Sequence, residues 1–243
     1  MLVLCDDAQV GLVGEERGPV VLIVKTILGF AFLMVVLGAA LFVSAGSLSY
    51  WQAWTYLAVF GGCTILITIY LALFSRELLG SRVQAGPIAE TRPVQRVIQT
   101  LAGLVFLALF IVPGLDFRFS WSHVAPELSV ISAMFVAIGF LIVFLTFREN
   151  TYARATIEVS AGQRLISTGP YSVVRHPMYA GAILLLLFTT TALGSWIALP
   201  VVLPLVFLMV ARIRDEEALL SQKLGGYRQY CERVRYRLVP FVW

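Results

Sequence analysis

A short polar stretch at positions 168–181 brings together two tyrosines, an arginine and a histidine, which are side chains that could bind a ligand or take part in catalysis. It reads Thr-Gly-Pro-Tyr, then three residues, then Arg-His-Pro-Met-Tyr-Ala-Gly. Arg175 or His176 could bind an anion, and Pro177 suits the first turn of a following helix, where its missing N–H costs nothing. The loop before that helix would leave backbone N–H groups free to meet an anionic or polar ligand. Arg175 alone could be a membrane-edge anchor and His176 alone a structural group, but their concentration favours a binding site.

A second polar group, Arg-Ile-Arg-Asp-Glu-Glu at 212–217, lies near the end of a predicted helix that stops at the glycine pair 225–226, since glycine commonly caps helix C-termini. The ordinary interpretation pairs Arg212 with Glu216, one turn apart on an exposed face, for roughly 0.2–0.5 kcal/mol. That pair does not explain three adjacent acidic residues at a membrane exit. Acidic side chains held opposite the 168–181 stretch could instead bind a cationic ligand.

The C-terminal segment is rich in tyrosine and arginine. Tyr227, Tyr230 and Val234 fall on one side of a short helix, a pattern typical of an interfacial helix that lies on the bilayer. The same helix could form a lid over a site at the level of the lipid headgroups.

The composition indicates which kind of structural element must hold these polar motifs in place. Hydrophobic residues make up 59% of the 243 residues and charged residues only 13%, about half of the roughly 25% found in soluble domains. Four apolar runs each approach the ~20 residues that cross a bilayer as a helix. They cover residues 20–43, 51–74, 97–115 and 128–147. The sequence therefore predicts a multi-pass integral membrane protein.

The fifth apolar stretch, 178–211, is too long for a single span. One helix of that length would measure about 51 Å, and Gly194-Ser195 interrupts it. Because lysine and arginine favour the cytoplasmic side, the arginines of segments 75–96 and 148–177 place both segments there. A hairpin keeps the basic residues that follow position 211 on the same side, so the stretch is predicted to double back.

Other classes of function are disfavoured by the same composition. The net charge of +4 is too mild for a nucleic-acid surface. Two histidines and three widely spaced cysteines indicate neither a metal centre nor a disulfide framework.

The order and spacing of the motifs resemble the isoprenylcysteine carboxyl methyltransferase family and the related phospholipid methyltransferases. The resemblance covers about residues 148–243 and rests on TGPY, RHPMYAG, the apolar hairpin, RIRDEE and the terminal GYRQYCERVRYRLVPFVW. It implies methyl transfer from S-adenosylmethionine, with S-adenosylhomocysteine as product, at the membrane surface. The residues that it implies for the cofactor site are Gly169, Pro170, Tyr171, Arg175, His176, Pro177, Tyr179, Gly181, Glu216 and Glu217.

The residue types at these positions suit S-adenosylmethionine, a sulfonium with a ribose and a zwitterionic amino-acid end. The acids could hold its ammonium, Arg175 or His176 its carboxylate, and tyrosine faces its sulfonium, through cation–π contacts of ~0.5–2 kcal/mol. A carboxylate acceptor needs only a cation to orient it, whereas an amine acceptor would need a general base such as Glu217 or His176. Carboxyl O-methylation, on an acceptor of the isoprenylcysteine type, is favoured over phospholipid N-methylation. The candidate catalytic residues are Arg175, Glu217, Arg237 and Asn150.

The predicted fold is all-α and membrane-integral, with four transmembrane helices, a C-terminal helical hairpin, a cofactor site on the cytoplasmic face and short amphipathic C-terminal helices. The chain divides into a polar tail at 1–19, the four spans within 20–147 and a methyltransferase-like catalytic region at 148–243. A lipophilic acceptor is expected to enter laterally from the surrounding membrane lipids. Neither nucleic acid nor metal is expected as a partner, and a bacterial inner membrane is favoured over the endoplasmic reticulum.

Two alternatives stay open. Membrane reductases that use NAD(P)H on lipid or sterol enones have a similar C-terminal plan, but often carry glutamate where Ala182 follows Gly181 in this chain. The other alternative is a non-enzymatic membrane scaffold. An ion-coupled transporter is disfavoured because the four spans contain almost no ionisable residues.

Overall fold

The computed structural model describes residues 18–84, 86, 88–90, 92–153, 155–157 and 163–243. Within these residues every regular element is a helix. The α-helices are α1 (Pro19–Ala45), α2 (Trp51–Phe74), α3 (Arg76–Val83), α4 (Pro93–Phe119), α5 (Pro126–Glu149), α6 (Pro177–Ala192), α7 (Leu199–Lys223) and α8 (Tyr227–Arg233), with a 3₁₀ turn at Gly169–Ser172. The predicted all-α fold is confirmed. Residues 1–17 of the predicted N-terminal tail lie outside the described residues.

Four helices, α1, α2, α4 and α5, are long and apolar enough to cross a membrane, which confirms the four predicted spans. Many of their apolar side chains point outward: Phe32 on α1 and Leu66 on α2 are 72% and 68% exposed. Lipid can cover such a surface, because the helices satisfy their own backbone polar groups. The chain is an integral membrane protein.

Two elements differ from the sequence prediction. Helix α4 is longer at both ends than the apolar run 97–115, because the helix continues through the polar residues that flank the membrane. Helix α3 was not predicted, since the arginines of segment 75–96 suggested a loop. Leu78 and Leu79 are nevertheless buried, and they pack this eight-residue helix against the ends of α2 and α5.

Helices α6 and α7 form the predicted hairpin. Residues 193–198 connect them, and Gly194 supplies the left-handed backbone conformation of the turn (φ +77°). The two helices run antiparallel, so Tyr179 near the start of α6 hydrogen-bonds to Glu216 near the end of α7 (3.1 Å). The Ser195 hydroxyl fastens the turn by donating to the buried carboxylate of Asp116 in α4. Helix α7 continues well past the predicted apolar hairpin 178–211 and ends in a polar segment.

A close backbone contact joins α5 to α6. A Cβ built on Gly139 would lie 2.8 Å from the carbonyl oxygen of Gly181, and a Cβ on Gly181 would lie 2.8 Å from the carbonyl oxygen of Gly139. Small residues allow membrane helices to approach in this way. The contact fixes the start of α6 against the middle of α5, and so helps to place the 168–181 stretch beside Asn150.

The polar ends of the helices meet on one side of the molecule. Arg92, just before α4, pairs with Asp215 of α7 (2.6 Å), and Arg212 pairs with Glu90 in the segment between α3 and α4 (2.9 Å). The loops before α4 and α6 and the C-terminal tail therefore share one side of the molecule. This side carries most of the arginines.

Gly139→Ala should lower the midpoint of thermal unfolding, because the new Cβ meets the Gly181 carbonyl and overpacking typically costs about 1–3 kcal/mol. Gly103→Ala in α4 is the matched control, since a Cβ there meets nothing within 4 Å. Alanine's higher helix propensity should stabilise that control by up to ~1 kcal/mol. Tryptophan fluorescence of the protein in detergent micelles measures both midpoints, and equal midpoints would contradict the packing.

Candidate active site

A cavity opens between the polar ends of α5, α6 and α7 and the C-terminal helix α8. Its volume is about 100 Å³, smaller than the roughly 300–1,000 Å³ typical of ligand pockets. Its polar lining includes Asn150, Tyr152, Gln163, Arg164, Tyr171, Arg175, His176, Tyr179, Arg212, Glu216, Tyr227 and Tyr230.

The structure divides the predicted site residues into two groups. Those that line the cavity are Asn150, Tyr171, Arg175, His176, Tyr179 and Glu216. Those that lie outside its lining are Gly169, Pro170, Pro177, Gly181, Glu217 and Arg237. In the second group, Gly181 makes the α5–α6 contact and Pro177 begins α6. These two residues therefore position the turn before α6 without facing the cavity.

Glu217 is the centre of an ion-pair cluster beside the cavity. Its Oε1 accepts hydrogen bonds from Nε of Arg175 (2.8 Å) and Nε2 of His176 (3.2 Å). Its Oε2 accepts one from Nε of Arg237 (2.8 Å). Burial would raise the pKa of this carboxyl, but the hydrogen bonds from His176 and Arg237 and the nearby charges lower the pKa to about 2. Glu217 is therefore ionised at neutral pH and committed to these three side chains.

The C-terminal tail is bound to the turn before α6. The backbone N–H groups of Arg175 and His176 donate to the carbonyls of Tyr236 and Arg237 (2.9 Å each). The Arg175 guanidinium donates to two further tail carbonyls (3.2 Å each). The prediction that this turn leaves its N–H groups free for a ligand is wrong at these two positions, because the tail takes them.

Arg212 has partners that the sequence did not reveal. Its Nε donates to the Tyr179 hydroxyl (3.0 Å), and its Nη1 donates to Glu90 and Gln95 (2.9 Å each). The expected exposed pair with Glu216 is wrong, because Glu90 binds the Arg212 guanidinium and Glu216 accepts a hydrogen bond from Tyr179. Glu90 and Gln95 lie far from the motifs in sequence, so no spacing pattern connects them with Arg212.

Tyrosines form much of the cavity wall. Asn150 donates from Nδ2 to the Tyr171 hydroxyl (2.9 Å), and the Tyr230 hydroxyl donates to the Tyr171 carbonyl (2.7 Å). Burial raises the pKa of Tyr171 to about 12 and also raises the pKa of Tyr227 and Tyr230. All three are therefore neutral phenols at pH 7. Helix α8 places Tyr227 and Tyr230 in the cavity lining, in agreement with the lid interpretation of this segment.

The arrangement suits an organic cation with polar and aromatic parts. Aromatic faces attract cations, and Glu216 adds a carboxylate to the wall. Two arginines that line the cavity are paired with acids, Arg175 with Glu217 and Arg212 with Glu90. In the part of the chain that the structure describes, no three side chains of the metal-ligating types come together.

Residues 128–226 match the sequence profile of the phospholipid methyltransferase family. The match runs from α5 through the 168–181 stretch and the hairpin to the residue before α8, and so includes most of the cavity lining. This region, less than half of the chain, is similar to the phospholipid methyltransferase family. The similarity favours a membrane methyltransferase, and it confirms the resemblance drawn from the motifs.

Delta(14)-sterol reductase of Mus musculus is also similar to this chain, with 34% identity over 106 residues. The aligned part is 40% of this chain and 25% of the reductase. The chain therefore spans a quarter of that relative's length.

Glu217→Gln should destabilise the protein in the absence of any ligand. The substitution leaves the Arg175 side chain, which is 7% exposed, without its carboxylate, and breaking a buried pair in this way typically costs about 3–5 kcal/mol. Glu232→Gln, on the exposed side of α8, is the control and should leave the thermal midpoint unchanged. Equal midpoints for Glu217→Gln and the unmodified protein would show that the cluster does not stabilise the fold.

The same cluster makes stability depend on pH. Because the pKa of Glu217 is about 2 in the folded protein, below its ordinary value of 4.5, its stabilising contribution is present above pH 4.5 and is lost as the pH falls toward 2. The difference in thermal midpoint between the unmodified protein and Glu217→Gln should therefore shrink on acidification. A difference that stays constant from about pH 6 down to about pH 3 would contradict this linkage.

Proposed function

We propose that the protein transfers a methyl group from S-adenosylmethionine to a lipophilic acceptor, with a carboxylate of the isoprenylcysteine type favoured. The observation that carries the proposal is a cavity whose described walls hold tyrosines and the Glu216 carboxylate, most of it in a region that matches a methyltransferase family. S-Adenosylmethionine, when bound, supplies a methyl group activated by its sulfonium. The protein's part in such a displacement is to bind, align the reactants and exclude water.

The cavity walls offer groups for each end of the methyl donor. Glu216, with Tyr179 hydrogen-bonded to it, suits the ammonium group. The faces of Tyr171 and Tyr227 suit the sulfonium through cation–π attraction. Arg164 is an exposed cation in the cavity lining and suits the carboxylate of the donor.

The ion-pair cluster has a positioning role in this proposal. Arg175, His176 and Arg237 all donate to Glu217, and these bonds hold the turn before α6, the end of α7 and the tail together. In this role the cluster holds the cavity walls in fixed positions relative to one another and keeps water out on the side of the tail. Asn150 stays a candidate for contact with the acceptor, because its Nδ2 has a second N–H besides the one that binds Tyr171.

A carboxylate acceptor fits the acid–base properties of the site better than an amine. Removing a proton from an amine requires a base with a pKa near the operating pH. Of the two bases considered for that role, Glu217 has a pKa of about 2 and is bound to two arginines, and His176 donates from Nε2 to Glu217. A carboxylate is already deprotonated at neutral pH and needs no base.

An apolar groove between α2 and α5 suits the hydrocarbon chain of the acceptor. It is lined by Cys63, Leu66, Ile67, Tyr70, Ala137, Phe140, Leu141 and Phe144. Ile67 and Tyr70 pack against the same buried apolar cluster as Ala153 and Met178, which line the cavity. The groove and the cavity thus lie on the same apolar cluster, and in this proposal the acceptor's tail occupies the groove while its polar end reaches the cavity.

Arg82 of α3 contacts the same apolar cluster, beside the cavity wall. Its guanidinium stands over the Phe147 ring at 4.5 Å and donates to Sδ of Met178 (3.0 Å) and to the Ala153 carbonyl. Burial lowers its pKa to about 10, so it stays positively charged at neutral pH. The Arg82 cation beside the cavity wall favours an acceptor with an anionic polar end. The arginine-rich side that holds the cavity is proposed to face the cytoplasm, in accord with the positive-inside rule.

A second candidate function is reduction of a lipid or sterol enone by NAD(P)H. The similarity to Delta(14)-sterol reductase of Mus musculus favours it. The two activities differ in their cofactor, so cofactor binding separates them.

S-Adenosylmethionine should bind the purified protein saturably, and Glu216→Gln should weaken the binding about tenfold or more, because a hydrogen bond to a charged group contributes ~1.5–3 kcal/mol. Glu232→Gln serves as the control and should bind with unchanged Kd. NADPH should neither bind nor compete. Equilibrium dialysis with radiolabelled S-adenosylmethionine measures these affinities.

Each alternative has its own signature in that experiment. Saturable binding of NADPH without binding of S-adenosylmethionine would replace the transferase by the reductase. Binding of neither cofactor would contradict both activities and favour a scaffold.

Ala137→Trp should fill the α2–α5 groove and raise KM for N-acetyl-S-farnesylcysteine about tenfold, since displaced apolar burial costs roughly 25 cal/mol per Å². The Kd of S-adenosylmethionine and the KM of an analogue with a five-carbon prenyl chain should not change. Met134→Trp, on a lipid-exposed position of α5 outside the groove, is the matched control. Equal KM values for the two tryptophan variants would remove the groove from the proposal.

A further inference from the structure

Glu90 is a buried acid outside the region that matches the methyltransferase family. It lies in the segment between α3 and α4, with 1% of its surface exposed, and the family match begins only at residue 128. Its Oε1 accepts hydrogen bonds from Nη1 of Arg212 (2.9 Å) and Nε2 of Gln99 (2.6 Å). Its Oε2 is buried without a hydrogen-bond partner. A buried carboxylate persists only when a cation compensates it, and that cation is Arg212.

Arg212 stands between this acid and the cavity. On one side it donates to Glu90 and Gln95, and on the other side it donates to the Tyr179 hydroxyl. The same Tyr179 hydroxyl donates to Glu216. The chain of contacts therefore runs from Glu90 through Arg212 and Tyr179 to the carboxylate that lines the cavity.

Arg212 also lies one helical turn before Glu216 on α7. Residues four apart on a helix face each other, and an arginine and a glutamate at this spacing attract. Glu90 and Glu216 thus compete for one guanidinium, and in this structure Glu90 holds it. If Glu90 lost its charge, the Arg212 guanidinium could turn to Glu216, which lies one turn further along the same helix.

We propose that Glu90 is a positioning residue that holds Arg212 away from Glu216, so that the Glu216 carboxylate stays available to a cationic ligand in the cavity. The inference rests on the proposed function, in which that ligand is S-adenosylmethionine. The loop before α4 thereby sets the affinity of a site whose walls belong to the family-matched region. Asp215 does not share this role, because Arg92 and Gln95 already bind it (2.6 and 2.5 Å).

Glu90→Gln tests the proposal. The neutral amide should release Arg212, which then pairs with Glu216. The Kd of S-adenosylmethionine should therefore rise about tenfold, as expected when a buried charge loses its partner. With saturating methyl donor, kcat should stay within about twofold, because the interaction serves ground-state binding. Glu127→Gln, an exposed acid at the start of α5, is the control and should match the unmodified protein.

The double variant Glu90→Gln with Arg212→Gln separates positioning from a merely structural role. It removes the competing cation together with its partner, so it should bind S-adenosylmethionine at least about threefold more tightly than Glu90→Gln does, a recovery that reveals coupling between the two sites. It also leaves no uncompensated buried charge, and so it should fold even if Glu90→Gln alone does not. In that case Glu90→Asp, which shortens the carboxylate and loosens the pair, is the single variant for comparison.

Unchanged affinity in Glu90→Gln would overturn the proposal. A double variant that binds as weakly as the single variant would overturn it too, because Glu90 would then act only through the fold. If the unmodified protein does not bind S-adenosylmethionine, the proposed function fails, and this inference fails with it. Binding by the unmodified protein with no effect of Glu90 sinks the inference alone.

Discussion

The structure of the candidate site depends on one carboxylate that two arginines and a histidine share. Glu217 of α7 joins the turn before α6, through Arg175 and His176, to the C-terminal tail, through Arg237. Backbone hydrogen bonds from Arg175 and His176 to the tail add to this connection. Because Arg175 is buried, the positive charges are tolerated there only while Glu217 is ionised. The cluster thus fixes the walls of the cavity. The side chains that line the cavity are neighbours of Glu217 and its partners.

The two halves of the chain contribute differently to the candidate site. The region that matches the methyltransferase family supplies nearly all of the cavity lining. The preceding helices supply the supports: Arg92, Glu90 and Gln95 hold the polar end of α7, and α2 provides one wall of the apolar groove. The N-terminal half is therefore more than a membrane anchor. Its polar segment before α4 determines which acids of α7 are paired.

The sequence predicted the elements better than the partners. Apolar runs and the arginine distribution were sufficient for the four spans and the hairpin, because membrane crossing depends on local hydropathy. The motifs also identified Tyr171, Tyr179 and Glu216, which do meet at one cavity. Pairing was different: the choice of Glu90 over Glu216 by Arg212 depends on tertiary contact that local spacing does not encode. The packing role of Gly181 likewise requires Gly139 on another helix.

The central claim is that S-adenosylmethionine binds in the cavity formed by the start of α6, the end of α7 and α8. Photolabelling with an azido analogue of S-adenosylmethionine, followed by peptide mass spectrometry, tests this claim most directly. The label should appear on peptides that contain the cavity segments 171–179 and 216–230, and S-adenosylhomocysteine should suppress it while NADPH should not. Labelling confined to other segments, or labelling that NADPH suppresses and S-adenosylhomocysteine does not, would contradict the claim.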